Sequence, residues 1–359
     1  IKGVTPSSEA WSTWAPALSI NSARAMSPFS AASSSGVFPA VVAPTLPESF
    51  LIRPERVTGC LDRAIVAWGP GGAAEGRCLW ASLEGLTGSE ADLGGTLRED
   101  LGEIQLDFGA ETRLSTGAED TDARLGVLLG YRQSESTLST ESSASADTLR
   151  LGLYADLTSG PVEASASLIW GMSDISTERS GIGGRLLSGE TSAESLSFDI
   201  EAERWIATQQ PGVTWAPYAG LSYTSARRDG FTETGDRLEA YSYADAEGNG
   251  LWARLGLRGR SDVAAAPGRS PARFEGGIGI ETLLSGDGMG VAGAFGAYEF
   301  SGPPGVSRFD DTALLLDLAY DAVLSTRGQR VTEVSAALGL RSTGSATDAS
   351  LQLQLRTSW

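Results

Sequence analysis

The chain ends in Leu351-Gln352-Leu353-Gln354-Leu355-Arg356-Thr357-Ser358-Trp359, in which apolar and polar side chains alternate. Successive side chains of a β-strand point to opposite faces of a sheet. The three leucines, Thr357 and Trp359 therefore share one face, and the two glutamines, Arg356 and Ser358 share the other. A period of two sustained over the whole stretch predicts a β-strand with one apolar and one polar face.

The same period recurs from Cys78 onward and gives about twelve strands, an even number that returns a barrel to the side on which it began. The polar face of these segments carries charges. In a twelve-stranded membrane barrel the lumen is too wide for side chains alone to fill, so it stays polar and hydrated. We therefore predict that ten charged residues line a lumen: Arg124, Arg150, Glu201, Glu203, Arg254, Arg258, Glu275, Asp317, Asp321 and Arg356.

Strand length and the connections favour a membrane barrel over a soluble one. Each segment has roughly 9–12 residues, enough to cross a bilayer at a tilt. Membrane barrels have short turns on the periplasmic side and longer loops outside. The short predicted turns are Ser115–Asp122, Thr158–Pro161, Thr208–Gly212, Val263–Pro271 and Thr326–Arg330. The longer predicted loops are Ser134–Asp147, Ser173–Glu194, Arg227–Gly250 and Leu284–Asp310.

Composition excludes several functions. The net charge is −18, with 45 acidic and 27 basic residues, which argues against binding nucleic acid. The chain has no histidine, which removes histidine-based catalytic triads and every histidine-ligated metal site. No apolar run is long enough for a helical membrane span. We predict no enzyme activity.

Residues 1–76 differ from the rest because serine, alanine and proline dominate them. We interpret them as a linker-like region, with short helices predicted over Ser8–Met26 and Pro54–Trp68. No signal peptide opens the chain, so Ile1 is expected to be a processed or truncated start. Cys60 and Cys78 form a disulfide in an oxidising compartment, or else remain two unpaired thiols. Two thiols alone cannot complete a structural zinc site.

Residues 77–359 resemble the C-terminal translocator β-domain of autotransporters, the type Va secretion proteins. The similarity lies in the order and spacing of five features: Leu79–Leu83; Pro217–Tyr223 followed by Arg228–Glu233; Leu255–Arg258; Ala294–Ala297 with Phe300–Gly302; and the terminal Trp359.

The resemblance implies an all-β, twelve-stranded antiparallel transmembrane barrel in a Gram-negative outer membrane, with surface-exposed loops. Such a barrel anchors an N-terminal passenger and carries it to the cell surface, with a linker or short helix in or near the lumen. The resemblance implies no cofactor. The partners would be outer-membrane lipid, the barrel-assembly machinery and the chain's own passenger segment, and the barrel would be monomeric. Trp359 would belong to the signal that the assembly machinery reads, or would act as an interfacial anchor.

Some members of the family cut their own passenger at an asparagine in the lumen, assisted by acidic groups. Asn21 is the candidate here, although the double-asparagine junction of the family is missing and an ordinary linker asparagine is the alternative. Asp107, Glu201 and Asp317 would assist such cleavage, or would otherwise pair with lumen arginines. An outer-membrane porin with residues 1–76 as a plug is the rival function. A surface adhesin formed by the loops also stays open, whereas an outer-membrane enzyme is disfavoured by the missing histidines.

Overall fold

The computed structural model describes residues 51–55, 57, 60, 77–91, 98–115, 121–138, 142–181, 184–236, 239–263, 271–296, 298–302, 312–327 and 330–359. The predicted helix Ser8–Met26 and the candidate cleavage residue Asn21 lie outside these ranges. Among the residues described, no helix has the length and apolar character needed to span a bilayer.

From Arg77 onward, most of the residues that the structure describes lie in β-strands. They are β1 (Arg77–Ala91), β2 (Arg98–Leu114), β3 (Thr121–Leu138), β4 (Ser142–Ser159), β5 (Val162–Ser180), β6 (Leu186–Arg204), β7 (Ile206–Ala207), β8 (Val213–Arg228), β9 (Phe231–Thr232), β10 (Tyr241–Tyr243), β11 (Ala246–Val263), β12 (Ala272–Asp287), β13 (Val291–Phe295), β14 (Tyr298–Gly302), β15 (Ala313–Arg327), β16 (Arg330–Ser342) and β17 (Ala346–Ser358).

Twelve long strands, β1–β6, β8, β11, β12 and β15–β17, form one antiparallel sheet that closes on itself. β8 pairs with β11, and β1 pairs with β17 from Cys78 opposite Ser358 to Glu90 opposite Ala346. Beyond this ladder, the Trp359 amide donates to the Arg77 carbonyl oxygen at 3.1 Å. The twelve-stranded antiparallel barrel predicted from the sequence is thereby confirmed.

The two faces of the sheet carry opposite kinds of side chain. On β2, Ile104 and Phe108 point outward and are 61% and 51% exposed, whereas the intervening Asp107 is 5% exposed. Large exposed hydrophobic residues recur at alternate positions on every long strand, and the buried alternate positions hold arginines, carboxylates and serines. An apolar outer surface and a charged interior suit a barrel surrounded by lipid.

The strands are longer than predicted, from 13 residues in β16 and β17 to 19 in β5 and β6. The predicted loops Ser134–Asp147 and Ser173–Glu194 are wrong, because most of their residues continue strands. In both stretches serine and threonine alternate between the faces. The inward hydroxyls of Thr148 and Ser173, for example, hydrogen-bond across the ladder at 2.9 Å. A Ser/Thr-rich composition resembles a loop, but here it extends the hairpins.

The barrel has two distinct ends. Arg77 and Trp359 lie at one, which we call the terminal end, and the strands that flank the five predicted short turns meet there. Of the turns that the structure describes in full, the shortest is Gly160-Pro161, where Gly160 has a φ of 56°, a conformation that glycine adopts without strain. The opposite end, which we call the loop end, carries the small sheet β14-β13-β10-β9 between the barrel strands.

The small sheet packs an aromatic cluster of Phe231, Tyr241, Tyr243 and Phe295. Arg179, near the end of β5, holds this sheet to the barrel. Its guanidinium donates to both carboxylate oxygens of Glu233 at 2.8 and 2.7 Å and lies 4.2 Å from the ring centre of Tyr241. Burial raises the pKa of the Tyr241 hydroxyl, so this ring stays neutral beside its cation. The loop end is therefore ordered by packing as well as by hairpins.

Candidate functional site: the occupied lumen

A short piece of chain preceding β1 lies inside the barrel. Its described residues are Leu51–Glu55, Val57 and Cys60, which we call the lumen segment. Leu51 and Ile52 are buried against inward-facing side chains near the loop end. Cys60 is buried near the terminal end, beside the start of β1. The segment therefore runs along the lumen, with its N-terminal residues at the loop end.

Cys60 is linked to Cys78 of β1 by a disulfide. The backbone amide of Cys60 also donates to Glu111 Oε2 at 2.9 Å. The same oxygen accepts a hydrogen bond from the Tyr154 hydroxyl at 3.2 Å, and Arg124 donates to the other oxygen of Glu111 at 2.9 Å. The C-terminal end of the lumen segment is thus held covalently and by a shared buried carboxylate.

Arg53 fixes the segment to β2. Its two terminal nitrogens donate to the two carboxylate oxygens of Glu103, both at 2.8 Å. Such paired, charge-assisted bonds are the strongest class of protein hydrogen bond. Ser134 also donates to Glu103, at 3.1 Å, and Thr224 donates to the Arg53 carbonyl oxygen at 2.7 Å. Three different barrel strands therefore contribute to the position of Arg53.

Glu55 sits between two arginines of the barrel wall. Its Oε1 lies 2.5 Å from Arg132 Nη1 and its Oε2 lies 3.1 Å from Arg150 Nη2. Arg150 also donates to both oxygens of Asp107, at 2.7 and 2.9 Å. All four side chains are at most 8% exposed. Because removing one member of a buried pair leaves its partner desolvated, this contact specifies one position of the segment.

The predicted helix Pro54–Trp68 is wrong over the residues that the structure describes, since Pro54, Glu55 and Val57 are not helical. The segment spans from the level of Leu101 to that of Glu111, roughly 30 Å along a strand. Nine helical steps would cover only about 14 Å. The described residues at the two ends of the lumen segment are therefore too far apart to be joined by a continuous helix.

The ten residues predicted to line the lumen all lie on the inward face, and most take part in ion pairs of the wall itself. Arg258 of β11 lies 2.6 Å from Glu201 and 2.7 Å from Glu203 of β6. Arg254 of β11 contacts Asp199 in the same group. In another part of the wall, Arg356 of β17 donates to Asp321 of β15 at 2.8 Å. Glu275 and Asp317 are half-buried on the inward face.

Two further predicted residues have defined places. Asp107 pairs with Arg150, as described above, which is the pairing expected for a lumen residue. Trp359 lies at the terminal end beside Arg330, whose guanidinium carbon is 5.7 Å from the centre of the indole. This position, together with its backbone pairing to Arg77, places the last side chain at the seam where the barrel closes.

A transmembrane β-barrel that holds a piece of its own chain in the lumen is the architecture of one class of outer-membrane protein. A family model described as the autotransporter β-domain matches residues 79–329 of the chain. The chain belongs to the autotransporter β-domain family, whose barrels lie in the bacterial outer membrane. No curated protein sequence matches it.

Solved structures with the same fold include three autotransporter domains. The translocator domain of NalP from Neisseria meningitidis is 16% identical, with a TM-score of 0.63, over 82% of this chain and 92% of that one. The β-domain of Bordetella BrkA is 16% identical, with a TM-score of 0.58, over 79% and 100%. The transport unit of AIDA-I from Escherichia coli is 13% identical, with a TM-score of 0.55, over 78% and 90%. At these identities the similarity shows the fold.

Proposed function

We propose that the chain is an outer-membrane translocator that exports an N-terminal passenger to the cell surface and then anchors it. The direction of the lumen segment carries this proposal. Leu51 lies at the loop end and Cys60 at the terminal end, where the disulfide ties it to β1. Because short turns mark the periplasmic side of membrane barrels, the loop end faces outward. Chain that precedes Leu51 is then delivered to the outside.

The same proposal assigns the parts of the chain. Residues 77–359 form the barrel, and residues 1–76 supply the end of the passenger and the segment that stays in the lumen. The barrel acts as a monomer in outer-membrane lipid, with its loops at the surface. Trp359, at the closing seam, contributes to the signal recognised by the barrel-assembly machinery. The activity is transport and requires no catalytic residue.

The rival function is a porin in which residues 1–76 form a plug. The contacts of the lumen segment favour the translocator, because the segment is covalently attached and its charges are matched to the wall at Glu103, Arg132 and Arg150. For solutes to pass through the lumen, this tightly held segment would have to leave it.

Export is tested by fusing an unstructured reporter peptide before Ile1 and digesting intact cells with an external protease. We expect the reporter to be removed from intact cells while the barrel survives. The same reporter fused to a chain lacking β17, which cannot close its barrel, should stay protected inside. A reporter that is protected in the complete protein, together with large constitutive pores in planar bilayers, would favour the porin.

A further inference from the structure

At the loop end of the lumen, part of the wall carries a buried apolar cluster, whose members lie among buried polar residues such as Ser136, Thr177 and Arg228. The cluster consists of inward-facing side chains from six strands, most of them small: Leu101, Ala144, Ala146, Ile175, Ala193, Ala226, Ala246 and Trp252. We call this set the collar. Leu51 and Ile52 lie against it, 3% and 5% exposed. Five alanines leave room at the centre for one or two side chains from another part of the chain.

Ile52 is enclosed at the collar from several sides. A Cβ atom at Gly248 of β11 would lie 2.5 Å from Ile52 Cδ1 and 2.7 Å from Met289 Cγ, so only glycine leaves room for these two side chains. Met289, which lies between β12 and β13, is 1% exposed and belongs to the same apolar cluster. The wall, the lumen segment and a loop therefore meet at Ile52.

The space around the Ile52 side chain is larger than that side chain. A cavity of about 270 Å³ adjoins Ile52 and is lined by Trp252, Leu283 and the backbone of three glycines, Gly250, Gly286 and Gly288, with Asn249 and Asp287 at its edge. It lies beside an irregularity in the β11–β12 ladder at Leu251 and Trp252, where the register shifts. β-Bulges of this kind bend a strand locally and often accompany functional sites.

We propose that the collar is a binding seat for an aliphatic or aromatic side chain of an extended polypeptide in the lumen. This inference rests on the proposed function, because the polypeptide is the chain being exported. During export, successive apolar side chains occupy the seat in turn, and Ile52 is its final occupant. Once export is complete, Ile52 occupies the seat and prevents small solutes from passing through the outer mouth of the lumen.

The seat is tested with two substitutions of its occupant in the full chain, reconstituted in liposomes that contain a small fluorescent dye. Ile52→Phe should release dye as slowly as the unchanged protein, because the adjoining cavity admits the larger ring. Ile52→Asp should release it about tenfold faster or more, since an uncompensated carboxylate is costly to bury among apolar groups. Leu186→Asp, a charge added at an exposed position of the same end, serves as the matched control and should leave efflux unchanged.

Equal efflux from Ile52→Asp and the unchanged protein would overturn the proposal, as would an increase with Ile52→Phe equal to that with Ile52→Asp. Surface exposure of an N-terminal reporter is measured in the same variants. If the unchanged protein fails to display the reporter, the proposed function fails. If the reporter is displayed but dye efflux does not depend on residue 52, only the proposed binding seat is refuted.

Discussion

Glu55→Gln is expected to weaken the binding of the lumen segment by about 3–5 kcal/mol, the usual cost of removing one partner of a buried ion pair. The substitution keeps the shape of the side chain but removes the negative charge that lies between Arg132 and Arg150. Both guanidiniums are 2% exposed, so water cannot replace the lost partner without opening the site. The disulfide at Cys60 would keep the released segment attached to the barrel.

The release is measured by limited proteolysis of the folded barrel in detergent, with cleavage in the lumen segment read by mass spectrometry. When opening is faster than cleavage, the rate follows the open population, so we expect an increase of about two to four orders of magnitude. Glu281→Gln is the matched control. Its carboxylate is equally buried and lies 3.0 Å from Arg341, but both residues belong to the wall. Equal protection of the segment in the two variants would contradict the role assigned to Glu55.

Leu151→Arg is expected to destabilise the barrel by roughly 2–4 kcal/mol, the cost of a cationic side chain facing lipid at the middle of the bilayer. Leu151 lies midway along β4, points outward, and is flanked on the neighbouring strands by Leu129 and Trp170. The measurement is urea unfolding in lipid vesicles followed by tryptophan fluorescence.

Leu186→Arg introduces the same charge on the projecting hairpin at the loop end, where Leu186 is 60% exposed. Near the interface the cost falls to about 0–1 kcal/mol, so this variant should unfold close to the unchanged protein. A barrel whose outer surface faced water would tolerate both arginines. Equal stability of the two variants would therefore contradict a membrane location for the middle of β4.

The barrel was predictable from the sequence because its signal is local. Alternation in stretches such as Leu351–Trp359 fixes both the strand and its faces, since a shift by one residue would move every apolar side chain to the wrong side. The inward position of Arg150 or Asp321 follows from the same rule. Strand ends were predicted less well, because Ser134–Asp147 consists of small polar residues that suit a loop as well as a solvated hairpin.

The lumen segment could not be recognised in the same way. The side chains of Arg53 and Glu55 contact barrel residues 50 to 95 positions away in the sequence, and no period relates them to Glu103 or Arg150. Pro54 suggested the first turn of a helix, but the distance between the collar and Cys60 is too long for a continuous helix. The available signal was a group of charges, Arg53, Glu55 and Arg56, in a region that is otherwise rich in serine, alanine and proline.

The central claim concerns the path of the chain: followed from the N-terminus, it runs from outside the cell through the lumen to β1 at the periplasmic face. Its most direct test compares one epitope tag placed before Ile1, at Gly344 of the loop end, or at Gly160 of the terminal end, each probed with antibody on intact and permeabilised cells. We predict that the first two tags are detected on intact cells and that the Gly160 tag appears only after permeabilisation. An N-terminal tag that appeared only together with the Gly160 tag would contradict the account.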